Sequence, residues 1–539
     1  MNPPESASRR RASISKVALL LMGTSLLGQV LGFLRTKLVN GNFPATGPHS
    51  TDAYFAAFNI PDFFFFTLAA GALGVAFMPV LSDHLHKNDR KGVWELSTSL
   101  MNFLAIIMAV VGVVMFVFAK PLIRYVIAPH MAPEQIDTTA TIMRFLAFNP
   151  LLFTISGVLT SVQQTMGRFF FFAIAPLFYN MSIIISAVIF STLPPHHGGP
   201  WHLGLVGLGL GALIGAILQL VVVAIGSVKL NFHWHPGIKW RSRDFHVILR
   251  NLPPRSLDQG IDQLESIVET RFATGLGTGA VTYYNNAYIL STAPILLIGT
   301  AISTAAFPRL NARLSQGRPD LFRRDFLTVL RAMIWIAAPL VVVCYFCRGY
   351  LARLIYTQGN QQIAIIFGFL TLAIFFRIIY SIVSRWFYAQ KDTRTPLYVS
   401  IFAIALNIFL AYKLARPDAY NIAGLALAQS LVAVAEVVVL MAIMIWRDRQ
   451  LLDGTFWGGV VRIFSVTGFS VVAGFIMISL YPLGATDRGV ITLGTKLLLI
   501  TLVTFGVHTV VSALFDLDEV RPLFIRLKRL ALKPVKVDL

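Results

Sequence analysis

Charge is scarce in this chain: 13% of its 539 residues are Asp, Glu, Lys or Arg, about half the share of a soluble domain. Cysteine occurs only twice, which excludes a disulfide-stapled or multi-zinc scaffold. Acids are the rarer charges, 25 against 45 bases, for a formal net charge of +20. No clustered nucleophile, metal-ligand spacing or phosphate-binding glycine loop is present, so no enzymatic activity is expected. What fills the space left by charge is apolar: 56% of the residues are hydrophobic and the mean hydropathy is +0.70. That composition implies an all-α integral membrane protein.

Spans are expected near 16–39, 53–81, 97–119, 138–163, 169–192, 203–228, 255–276, 280–308, 325–347, 362–389, 395–415, 420–446, 458–481 and 491–515, about fourteen in all. A charge of +20 would suggest nucleic acid in a soluble protein, but its distribution along the loops gives it another meaning. Loops with Lys87, Arg90 and Lys91, with Lys229 to Arg250, and with Arg309 to Arg324 alternate with 40–51, 128–137 and 191–203, which contain no Lys or Arg. The positive-inside rule then puts both termini in the cytoplasm, and no nucleic-acid partner is expected. The basic tail from Arg521 to Lys536 suits lipid headgroups. Arg9 to Arg11 lead into a full-length span with no small-residue cleavage site, so the first span is expected to stay in place. Cys344 and Cys347 lie around the apolar run 341–346 with no second pair nearby, as helix-packing residues do.

The hydrophobic pattern hides a duplication. Tyr54 to Pro79 matches Tyr283 to Pro308 at a displacement of 229 (283 minus 54), Asn180 falls on Asn407, and Gly207-Leu208 on Gly424-Leu425. An even number of spans per repeat keeps both halves in one orientation, giving two parallel six-helix lobes around a central cavity. The expected divisions are a basic N-terminus 1–15, an N-lobe 16–228, a basic linker 229–254, a C-lobe 255–446, two further helices in 447–515 and a basic tail 516–539. The two further helices either line a lipid-accessible groove or pack against the second lobe.

One span is unlike the others. Asp258, Asp262, Glu265 and Glu269 are spaced four, three and four residues apart, which puts all four on one helical face. Such a face cannot meet lipid, because a charge at the bilayer centre costs about 3 kcal/mol even by insertion scales. It is a cation site, a proton relay of mutually repelling carboxylates, or a solvated cavity wall. Asp258 follows Pro253-Pro254 and also suits a helix-start charge neutralised by Arg255.

The run Phe387-Tyr388-Ala389-Gln390-Lys391-Asp392-Thr393-Arg394-Thr395-Pro396 resembles the MurJ/MviN family of lipid II flippases, and physically it suits an inside corner with Pro396 in the first turn of the next helix. Gly32-Phe33-Leu34-Arg35, Asp52-Ala53-Tyr54-Phe55, Ala76-Phe77-Met78-Pro79-Val80, Ala175-Pro176 and Gly424-Leu425-Ala426 extend the resemblance along nearly the whole chain. It implies fourteen helices of the multidrug/oligosaccharidyl-lipid/polysaccharide exporter class. It also implies the movement of an undecaprenyl-diphosphate-linked peptidoglycan precursor from the inner to the outer leaflet of a bacterial cytoplasmic membrane, by alternating access. Lipid II or a related polyprenyl-diphosphate-linked saccharide, membrane lipids and cell-wall synthesis proteins are the partners so implied.

The cavity departs from the family's pattern. Gln29, Phe65, Phe66 and Ala287 stand where family members usually carry arginine, and Thr36, Ala70 and Ala411 where they carry acids. Arg35 is the main cavity arginine left to grip a diphosphate by paired charge-assisted hydrogen bonds, with Lys37, Arg255 and Arg271 as partial substitutes. The expected substrate-facing set is Arg35, Asp52, Arg255, Asp258, Asp262 and Glu265. The resemblance implies a sodium or proton site at Glu269, Asn407 and Gln429, whose oxygens suit a hard cation, and no other cofactor. An acidic cavity with few arginines equally suits a cation-coupled exporter of cationic small molecules, and loss of the arginines suits a membrane scaffold that keeps the fold without transport.

Overall fold

Backbone N–H groups in hydrocarbon must be paired within their own segment, so a chain this apolar has to be helical where it meets lipid. In a computed structural model the described residues, 5–70, 77–87, 89–193, 198–230, 232–356 and 360–521, contain helices and turns and no strand. Packing divides the chain into two units, residues 1–282 and 283–539.

The first unit holds α1 (Glu5–Asn42), α2 (Asp52–Phe64) with a π-helical continuation Phe65–Ala70, α3 (Met78–His86), α4 (Arg90–Val117) and α5 (Ala119–Leu122) with a second π segment, Ile123–Ile127. Then come α6 (Pro133–Leu146), α7 (Asn149–Thr165), α8 (Phe170–Ile189), α9 (Val206–Val228) and α10 (Arg243–Thr274). α8 packs on α9 and α1, α7 on α9 and α4, and α10 on α2 and the Phe65–Ala70 segment. The α8–α9 contact is close because Gly207, Gly211 and Gly215 form a small-residue stripe. A Cβ on Gly211 would stand 2.1 Å from Ser186 Oγ, and Ser182 Oγ donates to the Gly211 carbonyl at 2.7 Å. Leu26, Val110 and Ile185 face outward, 68, 59 and 52% exposed, while Ser97, Gln163 and Thr154 are buried. Apolar surface outside and hydrogen-bonded polar groups inside suit lipid as the solvent.

The second unit continues through α11 (Ala280–Pro294), a π segment Ile295–Thr300, α12 (Ala301–Ser315), α13 (Pro319–Phe346), α14 (Arg348–Ile355), α15 (Gln361–Ala389), α16 (Arg394–Leu414), α17 (Ile422–Arg447), α18 (Gly454–Leu480) and α19 (Val490–Leu514). α15 and α16 pack on α17, and α13 packs on α15 and α18. Of the two placements open for the last helices, α18 and α19 take packing against the second unit: Trp335 Nε1 donates to Ser512 Oγ at 2.8 Å, and His508 Nδ1 is 2.9 Å from Ser470 Oγ. Cys344 and Cys347 are free thiols, both buried in this packing.

The order of elements repeats. α4 and α13 are offset by 229 at both ends (319 minus 90, 346 minus 117), and the π segments at 65 and 295 by 230 (295 minus 65). Two features differ from expectation. The second lobe was expected to begin at 255, whereas the packing boundary falls after Thr282, because α10 contacts α2 and its π continuation. Twelve helices among the described residues, against the fourteen expected, are long and apolar enough to cross a membrane. The two that fall short are the second, where α2 breaks into a π segment and 71–76 lie outside the described residues, and α10, whose charges lower its hydropathy.

Candidate functional site

Ser242, whose Oγ accepts from the Phe245 N–H, caps α10, and the helix then runs unbroken to Thr274 through Pro253-Pro254. Asp258 is therefore well inside a helix, and the helix-start role does not hold. The side chains of Arg255, Asp258 and Asp262 lie outside the described residues. Glu265 is half-buried and Glu269 is 7% exposed. Beside them, Ser266 Oγ donates to Asn59 Oδ1 at 3.0 Å, and Asn59 Nδ2 donates to Thr270 Oγ1 at 3.1 Å, so the α10 face toward α2 is polar and hydrogen-bonded. Arg271 does not substitute for a cavity arginine. Its guanidinium donates to the carbonyls of Tyr125 and Val126 at 2.6 and 2.8 Å, the end of a π segment whose carbonyls lack helical partners.

Asp52 also departs from its expected role. It is 2% exposed, and its oxygens accept from the Gly279 N–H at 2.5 Å, the Thr282 N–H at 2.8 Å and the Thr282 hydroxyl at 2.7 Å. Accepting from residues three apart is the geometry of an N-cap, supplied to α11 by a side chain from α2. A carboxylate held by three protein donors is a structural anchor.

Arg35 is the residue expected to meet the diphosphate. It is half-buried on α1 and close enough to Tyr54 and Asp62 on α2 and to Tyr179 on α8 to act on all three electrostatically. Sequence reasoning missed Asp62, a lone acid in the apolar run 60–66 that the spacing argument on α10 overshadowed. Where the resemblance leads one to expect arginines, Phe65 stacks edge-on against Phe153 at 5.5 Å and Phe153 against Tyr179 at 5.3 Å, an aromatic wall beside the Arg35 cluster. Thr36 is buried and bonds back to the Gly32 carbonyl at 3.1 Å.

In the second unit Asn407 and Gln429 are 2 and 3% exposed. Gln429 Oε1 accepts from the Tyr284 hydroxyl at 3.2 Å, so one of its lone pairs is engaged. Sequence reasoning also missed Glu436, a 4% exposed acid on α17 that accepts from Ser400 Oγ at 3.1 Å, with the Tyr380 hydroxyl 3.4 Å beyond. One acid in an otherwise apolar span was the available signal.

The 387–396 run is the corner expected of it. Asp392 accepts from the N–H groups of Arg394 and Thr395 at 3.0 and 3.1 Å, from the Thr395 hydroxyl at 2.6 Å, and from Arg447 at 2.6 Å. Partial burial pushes the Asp392 carboxyl up, but the Thr395 and Arg447 bonds outweigh it and hold the group down at about 2. The arginine that binds Asp392 is Arg447 from α17, a partner that no local pattern announces.

A family model described as lipid II flippase MurJ matches residues 48–504. The chain is 24% identical over 544 residues to a probable lipid II flippase MurJ of Rhizobium tropici, covering 96% of this chain and 97% of that one. Its fold is similar to that of a lipid II flippase MurJ in an inward closed conformation, with a TM-score of 0.74 at 20% identity over 92% of this chain and all of that one. A multidrug resistance MATE family transporter of the MOP superfamily, inward-facing, follows at 0.65 and 15% identity over 80% of this chain and 98% of that one. With a family model matched along most of its length and a multi-pass helical fold, the chain belongs to the MurJ lipid II flippase family.

Proposed function

We propose that this protein moves a polyprenyl-diphosphate-linked saccharide of the lipid II class from the inner to the outer leaflet of a bacterial cytoplasmic membrane, by alternating access, with both termini in the cytoplasm. The observation that carries the reading is Arg35, a half-buried guanidinium directly after the uncharged run 17–34, retained where the family resemblance expects a diphosphate ligand. A guanidinium suits a diphosphate because its fork matches two phosphate oxygens at once. Asp62 is its electrostatic neighbour, and an ionised carboxylate there balances the guanidinium charge when no substrate is bound. The test is movement of fluorescent lipid II in vesicles by the purified protein, with complementation of a flippase-depleted bacterium. No movement under any ion gradient, together with no complementation, sinks the proposal.

Coupling to a cation is part of the proposal. Glu269 in the first unit, and Asn407 with Gln429 in the second, are the positions whose replacement is expected to alter the sodium or pH dependence of movement. A second reading, export of cationic small molecules, is favoured by the Phe65–Phe153–Tyr179 wall together with Asp62, since aromatic faces and a carboxylate attract cations. Efflux of a lipophilic cation abolished by Asp62→Asn, with no lipid II movement, would select it.

A further inference from the structure

The linker between α9 and α10 is fastened to the outer face of a membrane helix. Asn102 on α4 donates through Nδ2 to the carbonyls of His235 and Gly237 at 2.8 and 3.0 Å, and its Oδ1 accepts from Trp234 Nε1 at 2.9 Å. One turn earlier Ser99 Oγ accepts from the Lys239 N–H at 3.1 Å. Trp240 packs edge-on against Phe103 and Phe245, with ring centroids 5.5 and 5.7 Å away. An amide side chain amid apolar residues is thus satisfied by the linker instead of by water, which sets the linker at the depth where α4 turns apolar.

Between helix and linker runs an open groove of about 620 Å³, lined by Ala105, Ile106, Ala109 and Leu151 on one side and by Trp234 and Trp240 on the other. Ile106, Trp234 and Trp240 are 58, 56 and 52% exposed. Next along the linker from Trp240, Arg241 and Arg243 are exposed, while Lys239 pairs with Glu95.

We propose that this groove binds an anionic glycerophospholipid, with an acyl chain over Ile106 and Ala109 between the two indoles and the headgroup phosphate at Arg241 and Arg243. An apolar floor open to one side needs an apolar occupant. Indoles sit at headgroup level, and basic residues there favour acidic lipids. The groove shares no lining residue with the Arg35 cluster, and the proposal does not depend on which cargo the protein moves.

The full chain in nanodiscs whose phosphatidylglycerol or phosphatidylcholine carries brominated acyl chains provides the test. Tryptophan quenching is expected to show an apparent preference for brominated phosphatidylglycerol of about fivefold, the size expected of one basic side chain at a headgroup. The preference should vanish in Trp234→Phe/Trp240→Phe, and also in Arg241→Gln/Arg243→Gln, where both replaced side chains are exposed and the fold is spared. Equal quenching by the two lipids, or a preference that survives both double variants, overturns the proposal. So does a preference that added polyprenyl diphosphate relieves, because the groove would then belong to the substrate tail.

Discussion

Asp52 and Thr282, 230 residues apart in the chain, are joined twice: the Asp52 carboxylate accepts the Thr282 backbone N–H at 2.8 Å and its hydroxyl at 2.7 Å. The same carboxylate takes the Gly279 N–H, so α2 supplies the cap for the start of α11. Gly279 itself has a φ of +93°, a conformation that glycine adopts without strain.

Replacing Asp52 by Ala leaves the Gly279 and Thr282 N–H groups without a partner at a site 2% exposed, while the Thr282 hydroxyl keeps Thr51 Oγ1 at 2.9 Å. A loss of about 3 kcal/mol of stability is expected, read as a lower thermal midpoint in detergent. Asp52→Asn, which keeps one acceptor oxygen, should lose clearly less. Equal losses in the two variants would contradict the capping role.

Asp392 gives a pH dependence. Its folded pKa of about 2 lies below the ordinary value of 3.8, so the folded state holds its proton more weakly than the unfolded chain. The associated stability is present in full above about 4 and is lost as pH falls toward about 2. The stability difference between wild type and Asp392→Asn should therefore stay constant from pH 7 to 5 and shrink only below about 4. A difference that shrinks near neutrality would point to another group.

Arg35 and Asp62 should act in opposite directions on cargo. Arg35→Ala is expected to slow lipid II movement by tenfold or more, about 1.4 kcal/mol of lost charge-assisted bonding. Arg35→Lys keeps the charge without the planar fork and should recover only part of the rate. Asp62→Asn removes a carboxylate that competes with phosphate for Arg35, so half-saturation should occur at lower substrate concentration. Weaker binding in Asp62→Asn would mean that Asp62 positions Arg35 and does not compete for it.

Gly211→Val probes the α8–α9 seam. The new Cβ would meet Ser186 Oγ at 2.1 Å, and Ser186 is itself buried, so the helices must separate. A loss of about 1–3 kcal/mol is expected from overpacking. Pairing it with Ser186→Ala should return part of that stability, whereas Gly23→Val, with open space around it, should be neutral.

Much of the fold was legible because apolar length, loop charge and a displacement of 229 are properties of the chain alone. Helical class follows from hydrocarbon having no partner for an unpaired amide, and the duplicated order from the pattern that recurs at 229. The corner at Asp392 was legible too, as a run of turn-forming residues. The candidate site was legible only in part. The spacing rule found Glu265 and Glu269, which share a helix, but gave no weight to Asp62 or Glu436, each alone in its apolar run and significant only through neighbours on other helices.

By itself, then, the sequence determined that this is a multi-helix membrane protein built on a repeat, with Arg35 kept directly after the uncharged run 17–34. Only the tertiary structure decided what the charged residues do. It turned Asp52 into a cap and Arg271 into a carbonyl anchor, and it brought Asp62 within electrostatic reach of Arg35. The reason is physical: in a low-dielectric interior a charge takes its role from whatever partner stands within a few ångströms, and those partners come from helices far apart in the chain.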